Sequence, residues 1–317
     1  MKHIVCLGGG NAMPKTVLAG LKRKPVKLSV ICAMLDSGGS AGRLRKDYKI
    51  VSPGDIRRAM IALADTSPIV EDLFNYRFEV GELKGHNLAN LLITGLELSN
   101  RNYEKSLETL SRILNIRHEV LPVTLSKSNL HAELENGKIV HGEANIDRPR
   151  HNGNLKIRRV FLKPSAKAYP KALEAIKHAD AIVIGPGDLY SSIMQILLTE
   201  GIARTICASK AKKIYVCNVM TKYGETNDFS VEDFAGEVEN YLRCGLDYVI
   251  YNNHRAPSST RVRSYQKAHR ELLKPVFMRS KKLNSRKFIG VDLIPKSGPI
   301  VHDSRKLANV ILKLSKK

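Results

Sequence analysis

The sequence predicts an α/β fold of the Rossmann-like, doubly wound type, with a mostly parallel sheet and a small antiparallel hairpin excursion. Short apolar runs alternate with segments of helical periodicity along most of the chain. The runs are nearly unbroken series of valine and isoleucine, which is typical of strands buried on both faces. Several of them end at glycine-rich stretches, and sheets of this type bind ligands at the carboxyl ends of their strands.

The first third of the chain is predicted to form one βαβ unit followed by four helices. Its strands cover residues 3–7 and 27–34, and Pro14 favours the first turn of the helix between them. The apolar spacing then predicts helices over 55–65, 69–76, 86–99 and 103–114.

An antiparallel excursion is expected in the middle of the chain, over about 119–162. A strand at 119–123 precedes residues 130–146, which alternate in polarity on both sides of Asn136-Gly137. Asn-Gly between alternating segments predicts a hairpin with a type I′ turn. A further strand is expected at 157–162.

The remainder of the chain returns to alternating strands and helices. Strands are expected at 180–185, 213–219, 247–252 and 288–294, and helices at 168–179, 190–199, 231–243 and 304–315. No stretch rich in proline, glycine and serine divides the chain. We therefore expect a single nucleotide-binding domain over residues 1–317.

The composition indicates an anionic ligand and argues against a membrane protein. With 52 Lys and Arg against 30 Asp and Glu, the formal charge is +22, which attracts nucleotides, phosphorylated metabolites or nucleic acid. A nucleic-acid partner rests on this charge alone, because aromatic residues are only 6% and tryptophan is absent. The apolar runs are far shorter than the ~20 residues that span a bilayer.

The five cysteines predict a reducing compartment. Cys6, Cys32, Cys207, Cys217 and Cys244 form no CxxC pair. They are expected to be buried free thiols, and the N-terminus reads as a first strand and not as a signal peptide. Together these features predict a cytoplasmic protein.

Four glycine-bearing stretches follow predicted strands or open predicted helices. They are Gly8-Gly9-Gly10-Asn11, "LDSGGSAGRLR" with "SPGDIRR" close behind, "GHNLANLLI" and "GPGDLYSS". Free backbone N–H groups at a helix start bind anions, and arginine clamps phosphate with two hydrogen bonds. The second stretch, residues 35–45, is predicted to be a loop in which Arg43 and Arg45 hold phosphate. Asp36 at the strand end is placed to bind a ribose hydroxyl or a metal-bound water.

Each stretch also has an ordinary structural explanation. Asp55 and Asn87 suit helix N-caps, and the serines of "GPGDLYSS" do the same. The simplest place for Arg57 and Arg58 is a solvated helix face, and His86 suits an exposed surface. The coincidence of all four stretches at one sheet edge favours a phosphate-bearing ligand more than any one of them does.

In this order, the motifs resemble those of the gluconeogenesis-factor family within the wider CofD-like group. They read "GGGNA", "DSGGSAGRLR", "PGDIR", "GHNLAN", "GPGDLYSS" and "VCNVMTKYGET", and they span nearly the whole chain. The resemblance implies a Rossmann-like fold that binds a nucleotide or a UDP-sugar, UDP-N-acetylglucosamine in particular. It also implies a link to carbon use and to cell-shape or envelope homeostasis.

The ligand contacts implied by the resemblance lie in the same motifs. They are Gly9, Gly10, Asn11, Asp36, Gly38, Gly39, Ser40, Arg43, Asp55, His86, Asn90, Gly187, Ser191, Asn218, Thr221 and Tyr265. The chain departs from the family pattern at four places. Ser37 replaces the second aspartate of a pair, and Asn11-Ala12 replaces the usual Thr-Gly. Asp188 stands where a hydroxyl is usual, and Val301 replaces an arginine.

Two functions follow from these observations. The first is a ligand-binding regulator that holds a nucleotide sugar, a nucleotide or NAD, assembles as a homodimer and acts on a regulatory protein partner. The alternative is a CofD-like transferase, in which Asp36 and Asp55 hold Mg²⁺ against a pyrophosphate and are the catalytic residues. The departure at Ser37 removes one metal ligand from that alternative.

Overall fold

Two sheets organise the chain in a computed structural model that describes residues 1–253, 257–269, 273–280 and 286–316. The strands are β1 Lys2–Gly8, β2 Val26–Cys32, β3 Glu119–Pro122, β4 Asn129–Leu134, β5 Ile139–His141, β6 Ile157–Lys163, β7 Ala181–Ile184, β8 Lys212–Val216, β9 Tyr248–Asn252 and β10 Phe288–Val291. Seven of them form a parallel sheet in the order β10-β9-β8-β7-β1-β2-β3. The other three form an antiparallel sheet in the order β5-β4-β6.

The strand order reverses between β1 and β7. The chain runs from β1 outward through β2 to β3, and then from β7 outward in the other direction through β8 and β9 to β10. Right-handed crossovers therefore place the helices that follow β1 and β7 on opposite faces of the sheet, which opens a crevice between the two strand ends. This arrangement confirms the predicted doubly wound fold.

The helices pack on both faces of the large sheet. They are α1 (Pro14–Leu18, with π-helical hydrogen bonds, continuing as Ala19–Leu21), α2 Gly39–Tyr48, α3 Gly54–Leu63, α4 Pro68–Asn75, α5 Leu88–Asn100, α6 Tyr103–Ile113, α7 Glu143–Asp147, α8 Pro170–Lys177, α9 (Leu189–Met194, again π-helical, continuing as Gln195–Leu197), α10 Ile202–Ala208, α11 Val231–Leu242, α12 Ser259–His269 and α13 Ser304–Leu314. Helix α1 contacts α3 and α13, whereas α10 contacts α8 and α11.

The strands are buried because their residues are apolar on both faces. Ile4, Val5 and Cys6 of β1 and Ile182 and Val183 of β7 have no exposed surface. No alternation of polar residues marks a solvated face in these central strands. The unbroken valine and isoleucine runs therefore identified the strands correctly.

The predicted loop at 35–45 is wrong from Gly39 onward, because α2 begins there. Gly38 has extended backbone and precedes the helix, and Gly39 has a φ of +51°. A Cβ at Gly42 would lie 2.1 Å from the carbonyl oxygen of Ser37, so the first turn closes tightly over that carbonyl. Here the glycines permit the backbone to start a helix. Glycine has a low helix propensity, but the burial of Ala41 and Leu44 outweighs it.

Two details of the antiparallel excursion also differ from the prediction. Only Gly137 of the Asn136-Gly137 pair has positive φ (82°), whereas a type I′ turn needs positive φ at both positions. Residues 143–147 form α7 and do not continue the strand. The chain leaves β5 at Gly142, whose φ is +86°, and the Ala144 N–H then donates to the Ser37 hydroxyl.

The sequence analysis missed two helices and one disulfide. Helix α10 has only seven residues, and α12 has no buried residue, so neither shows a strong apolar period. Cys207 and Cys244 form a disulfide, because the ends of α10 and α11 bring their Cα atoms within 5.8 Å. The prediction of free thiols is therefore wrong for this pair, and it is confirmed for Cys6, Cys32 and Cys217.

Over the described ranges, no helix is both long enough and apolar enough to cross a membrane.

Candidate functional site

A cleft of about 2220 Å³ lies at the carboxyl edge of the parallel sheet, over the crevice between β1 and β7. Its walls come from the segments that follow β1, β2, β7 and β8, together with α7 and α12. Ligand pockets for drug-sized molecules usually measure about 300–1,000 Å³. The cleft therefore has room for an extended ligand with more than one chemical group.

On the β1 side, the glycine loop is held by the carboxylate of Asp55. The Gly10 N–H donates to Asp55 Oδ1 over 3.0 Å. A Cβ at Gly9 would lie 2.1 Å from Asp55 Oδ2, so only glycine allows the carboxylate to come this close. Asp55 is 5% exposed and makes no helix-capping hydrogen bond, so its role as an N-cap is excluded. The Gly10 donor is thus used within the protein and does not point freely at an anion.

Arg58 lies between two carboxylates. Its guanidinium donates to Asp55 Oδ1, and its Nη2 is 3.8 Å from Asp36 Oδ2. Burial lowers the pKa of Arg58, but Asp55 and Asp36 outweigh this effect and hold the pKa above its ordinary value. The solvated position predicted for Arg58 is therefore wrong, since the side chain is 23% exposed and ion-paired.

Glu143 of α7 adds a third carboxyl group beside Asp36. Its Oε2 accepts a hydrogen bond from the Ser37 N–H over 3.0 Å. Burial, followed by the nearby Asp36 carboxylate, raises the pKa of Glu143 to about 9. Burial and Asp55 also raise the pKa of Asp36, against the effect of Arg58. The raised pKa of Glu143 favours its protonated form, and the side chain of Glu143 is hydrogen-bonded to Asp36.

On the β7 side, the glycine loop is held by a neutral amide. Asn218 Nδ2 donates to the Gly187 carbonyl over 2.9 Å, and the Gly187 N–H donates to Asn218 Oδ1 over 3.3 Å. Thr221 follows in the same segment after β8, and its hydroxyl accepts from the Lys274 N–H. The Gly187 backbone on this side of the cleft is thus held by a neutral side chain.

Another carboxyl group, that of Glu225, is buried beneath the β7 side. Glu225 accepts hydrogen bonds from the backbone N–H groups of Tyr190 and Ser191 and from the Ser191 hydroxyl. Burial, with Asp188 as the next cause, raises the pKa of Glu225 to about 8. Carboxylate oxygens of Asp147, Asp188 and Glu225 lie within 4.8 Å of one another. Lys222 Nζ is 3.3 Å from Asp147, which supplies a positive charge to the cluster.

An aromatic pair lines the far end of the cleft. The rings of Tyr265 and His269 on α12 stack with centroids 4.0 Å apart. Tyr265 packs on a small apolar cluster that includes Met220, Leu273 and Ile300. Since β2 and β8 are separated by three strand spacings, this end and the Asp36 end are roughly 14 Å apart along the sheet edge.

The cleft brings together most of the predicted ligand contacts. Those that line it are Gly9, Gly10, Asn11, Asp36, Gly38, Gly39, Ser40, Asp55, Asn90, Gly187, Asn218, Thr221 and Tyr265. The other three lie outside its lining. Arg43 Nη2 donates to the Lys84 carbonyl, and His86 Nδ1 is 3.3 Å from the Ser40 hydroxyl. The Ser191 hydroxyl donates to Glu225 Oε1.

The family departures lie around this cleft with new partners. The Ser37 hydroxyl accepts from the Ala144 N–H, which links the β2 end to α7. Asp188 and Val301 both line the cleft. Near Val301, Arg261 donates to the carbonyls of Lys296 and Gly298.

Sequence reasoning missed three residues of the site. Arg57 is 9% exposed and lines the cleft, so its predicted solvated position is wrong; its place beside Asp55 in "PGDIRR" was the available signal. Glu225 stands in the quoted "VCNVMTKYGET" motif, which also carried a signal. Glu143 had none, because only the tertiary fold brings α7 onto the end of β2.

Comparison with known proteins identifies the family. The family model for 2-phospho-L-lactate transferase CofD matches residues 4–291. The chain belongs to the CofD family. This finding confirms the resemblance seen in the motifs.

Curated relatives of this CofD family chain are gluconeogenesis factors. The gluconeogenesis factor of Bacillus subtilis (strain 168) is 37% identical over 322 residues, covering 99% of this chain and 98% of the relative. A putative gluconeogenesis factor of Thermotoga maritima is 38% identical over 317 residues, covering 99% of both. The crystal structure of a UPF0052 family member from Bacillus halodurans superimposes with a TM-score of 0.91 at 37% identity, covering 98% of this chain and 100% of that one.

The transferase alternative places a magnesium ion between Asp36 and Asp55. The hydrogen bonds that these two carboxylates make do not leave room for it. Asp55 Oδ1 accepts from Gly10 and Arg58, and Asp36 Oδ1 accepts from the Gly38 N–H over 2.9 Å. The Arg58 guanidinium lies between the two carboxylates, where a divalent cation would have to sit. No reaction step is therefore assigned to a metal at this pair.

Proposed function

We propose that this chain is a gluconeogenesis factor that regulates carbon metabolism by binding a nucleotide or a nucleotide sugar. UDP-N-acetylglucosamine is the leading ligand, and NAD is a further candidate. The observation that carries the proposal is the cleft of about 2220 Å³ at the strand-order reversal. In doubly wound sheets this is the position at which nucleotides bind. The large positive net charge favours the same class of ligand.

The lining suits the different parts of such a ligand. Asp36 offers carboxylate oxygens to a ribose hydroxyl, and Glu143 lines the cleft beside it. At the other end, Tyr265 provides an aromatic face for a base or sugar ring. Occupancy of the cleft would draw α7 and α12 against the sheet and change a surface that a partner protein or a second copy of the chain can recognise. This action would take place in the cytoplasm and affect carbon metabolism and cell shape.

Native mass spectrometry with hydrogen exchange tests the proposal. Purified protein is incubated with UDP-N-acetylglucosamine, NAD or GTP, and uridine serves as the control without phosphate. We expect a retained UDP-N-acetylglucosamine of unchanged mass and slower exchange in segments 8–12, 36–43, 185–192 and 216–226. Absence of binding, or protection confined to segments away from the cleft, contradicts the proposal.

A CofD-like transferase is the second candidate, favoured by the carboxyl pair of Asp36 and Glu143. Two acidic groups with raised pKa values at a ligand cleft suit transfer of a proton to a leaving group. Conversion of a bound nucleotide to a shorter product, abolished in Asp36→Asn, would support this candidate. A nucleotide that stays intact for hours with magnesium present rules it out.

A further inference from the structure

Arg57 of α3 is a buried cation for which the described part of the chain supplies no hydrogen-bond or ion-pair partner. It is 9% exposed and lines the cleft. Its Nε is buried and makes no hydrogen bond, and no carboxylate of the described residues forms an ion pair with it. The next residue, Arg58, has the same side chain and two carboxylate neighbours. Arg58 is three residues after Asp55 and shares its helix face, whereas Arg57 is two residues after Asp55 and faces elsewhere.

This arrangement costs stability in the free protein. Burial, followed by the charges of Arg58 and Arg77, lowers the pKa of Arg57 to about 10, and the more distant Asp55 and Asp36 offset this only in part. The group therefore stays charged at neutral pH. A buried charge without a counter-charge is strongly unfavourable, and natural proteins pair such groups. A bound anion would supply the missing partner.

The surroundings of Arg57 suit a phosphate. Arg77 lines the same cleft, and its Nη1 donates to the Gly85 carbonyl, which holds the guanidinium in place. Asn90 at the start of α5 is 3% exposed, and its Oδ1 also lacks a partner while its Nδ2 donates to the Ser40 hydroxyl. Two guanidinium groups and one free acceptor match a phosphate ester that carries a hydroxyl nearby.

We propose that Arg57 and Arg77 bind a phosphate group of the ligand at the α3–α5 end of the cleft, with Asn90 Oδ1 accepting from a ligand hydroxyl. This inference deepens the proposed function and rests on it.

Three backbone donors of the glycine loops are already used. The N–H groups of Gly10, Gly38 and Gly187 donate to Asp55, Asp36 and Asn218. Arg58 is paired, and Arg43 lies outside the cleft lining. The phosphate is therefore expected beside α3 and not directly above the glycine loops.

Calorimetric titration with inorganic pyrophosphate tests the assignment on the full chain. Arg57→Met keeps an unbranched apolar side chain and removes the charge, and the matched control is Arg204→Met, at an exposed arginine of α10 outside the cleft lining. We expect pyrophosphate to bind at least tenfold more weakly to Arg57→Met and unchanged to Arg204→Met, since hydrogen bonds to charged groups are worth about tenfold or more in affinity. Without ligand, Arg57→Met should melt no lower than the wild-type protein, because a buried unpaired charge is gone.

The remaining outcomes are distinct. Equal pyrophosphate affinity in Arg57→Met and wild type overturns the assignment. If Arg57→Met is strongly destabilised or does not fold, Arg57→Lys replaces it, with weaker binding expected from loss of the two-point contact. Equal pyrophosphate affinity in Arg57→Lys and wild type then overturns the assignment. UDP-N-acetylglucosamine is titrated in parallel. Pyrophosphate binding without nucleotide-sugar binding defeats the proposed function alone, and nucleotide-sugar binding unaffected in Arg57→Met defeats this inference alone. Binding of neither defeats both.

Discussion

Two glycine loops face each other across the strand-order reversal, and the protein holds them in different ways. The Gly10 N–H after β1 donates to the Asp55 carboxylate, which also pairs with Arg58. The Gly187 N–H and carbonyl after β7 both bond to the Asn218 amide. The hydrogen-bonding groups of the loop backbone are thus paired with a charged cluster on one side and with a neutral side chain on the other. The charged side should therefore be costlier to break and should respond to pH.

The largest effect is expected from Asp55→Ala. It leaves Arg58 with only the more distant Asp36 and leaves the Gly10 N–H without its acceptor. Removing one partner of a buried ion pair typically costs about 3–5 kcal/mol, and we expect about 3 kcal/mol here because Arg58 is not fully buried. The free energy of unfolding is measured by urea titration.

Two further variants separate charge from hydrogen bonding at this position. Asp55→Asn keeps an acceptor for Gly10 and removes only the charge, so its loss should be smaller. Asp65→Ala removes an exposed carboxylate paired with Arg117 and should cost less than about 1 kcal/mol. A loss in Asp55→Ala no larger than that in Asp65→Ala would show that the cluster does not stabilise the β1 side.

The contrast between the two sides also explains what the sequence could predict. The central strands of the parallel sheet were predictable because they are apolar runs that need two covered faces, as in 181–184. The order of the motifs predicted which loops meet, since parallel strands end at one edge. The pairing of donors was predictable only in part. In "PGDIRR" Arg58 is three residues after Asp55 and shares its helix face, but only the fold brings Asp36 to the other side of Arg58. Glu143 was likewise hidden, because α7 reaches the β2 end through the antiparallel excursion.

A pH dependence should mark the charged side. The pKa of Glu143 is about 9 in the folded protein and about 4.3 in an unfolded chain. Between these values the folded state binds the proton and the unfolded state does not, so stability falls as the pH rises, by at most about 1.4 kcal/mol per pH unit for one group. Glu143→Gln mimics the protonated form and removes this contribution.

We compare the free energy of unfolding of Glu143→Gln with that of the wild-type protein. From about pH 6 to about pH 8, we expect this difference to shift by about 1–3 kcal/mol in favour of Glu143→Gln. Urea midpoints at several pH values provide the measurement. The raised pKa of Glu225 gives a slope of the same sign in both proteins, so the difference between them reports Glu143. A difference that does not change with pH means that Glu143 is ionised in the folded state, and the account of the charged side fails.

The smallest effect is expected on the neutral side, from Asn218→Ala. The Gly187 N–H and carbonyl lose their amide partner, but both line the cleft and can bond to water instead. The expected loss is about 1 kcal/mol and should not vary with pH, because no charge takes part. The measurement is urea unfolding near pH 6 and pH 8. Asn218→Asp is the informative companion, since a carboxylate still accepts from the N–H but repels the carbonyl that the amide donated to. If Asn218→Ala costs as much as Asp55→Ala, the two loops are held equally firmly, and charge is not what distinguishes the two sides of the cleft.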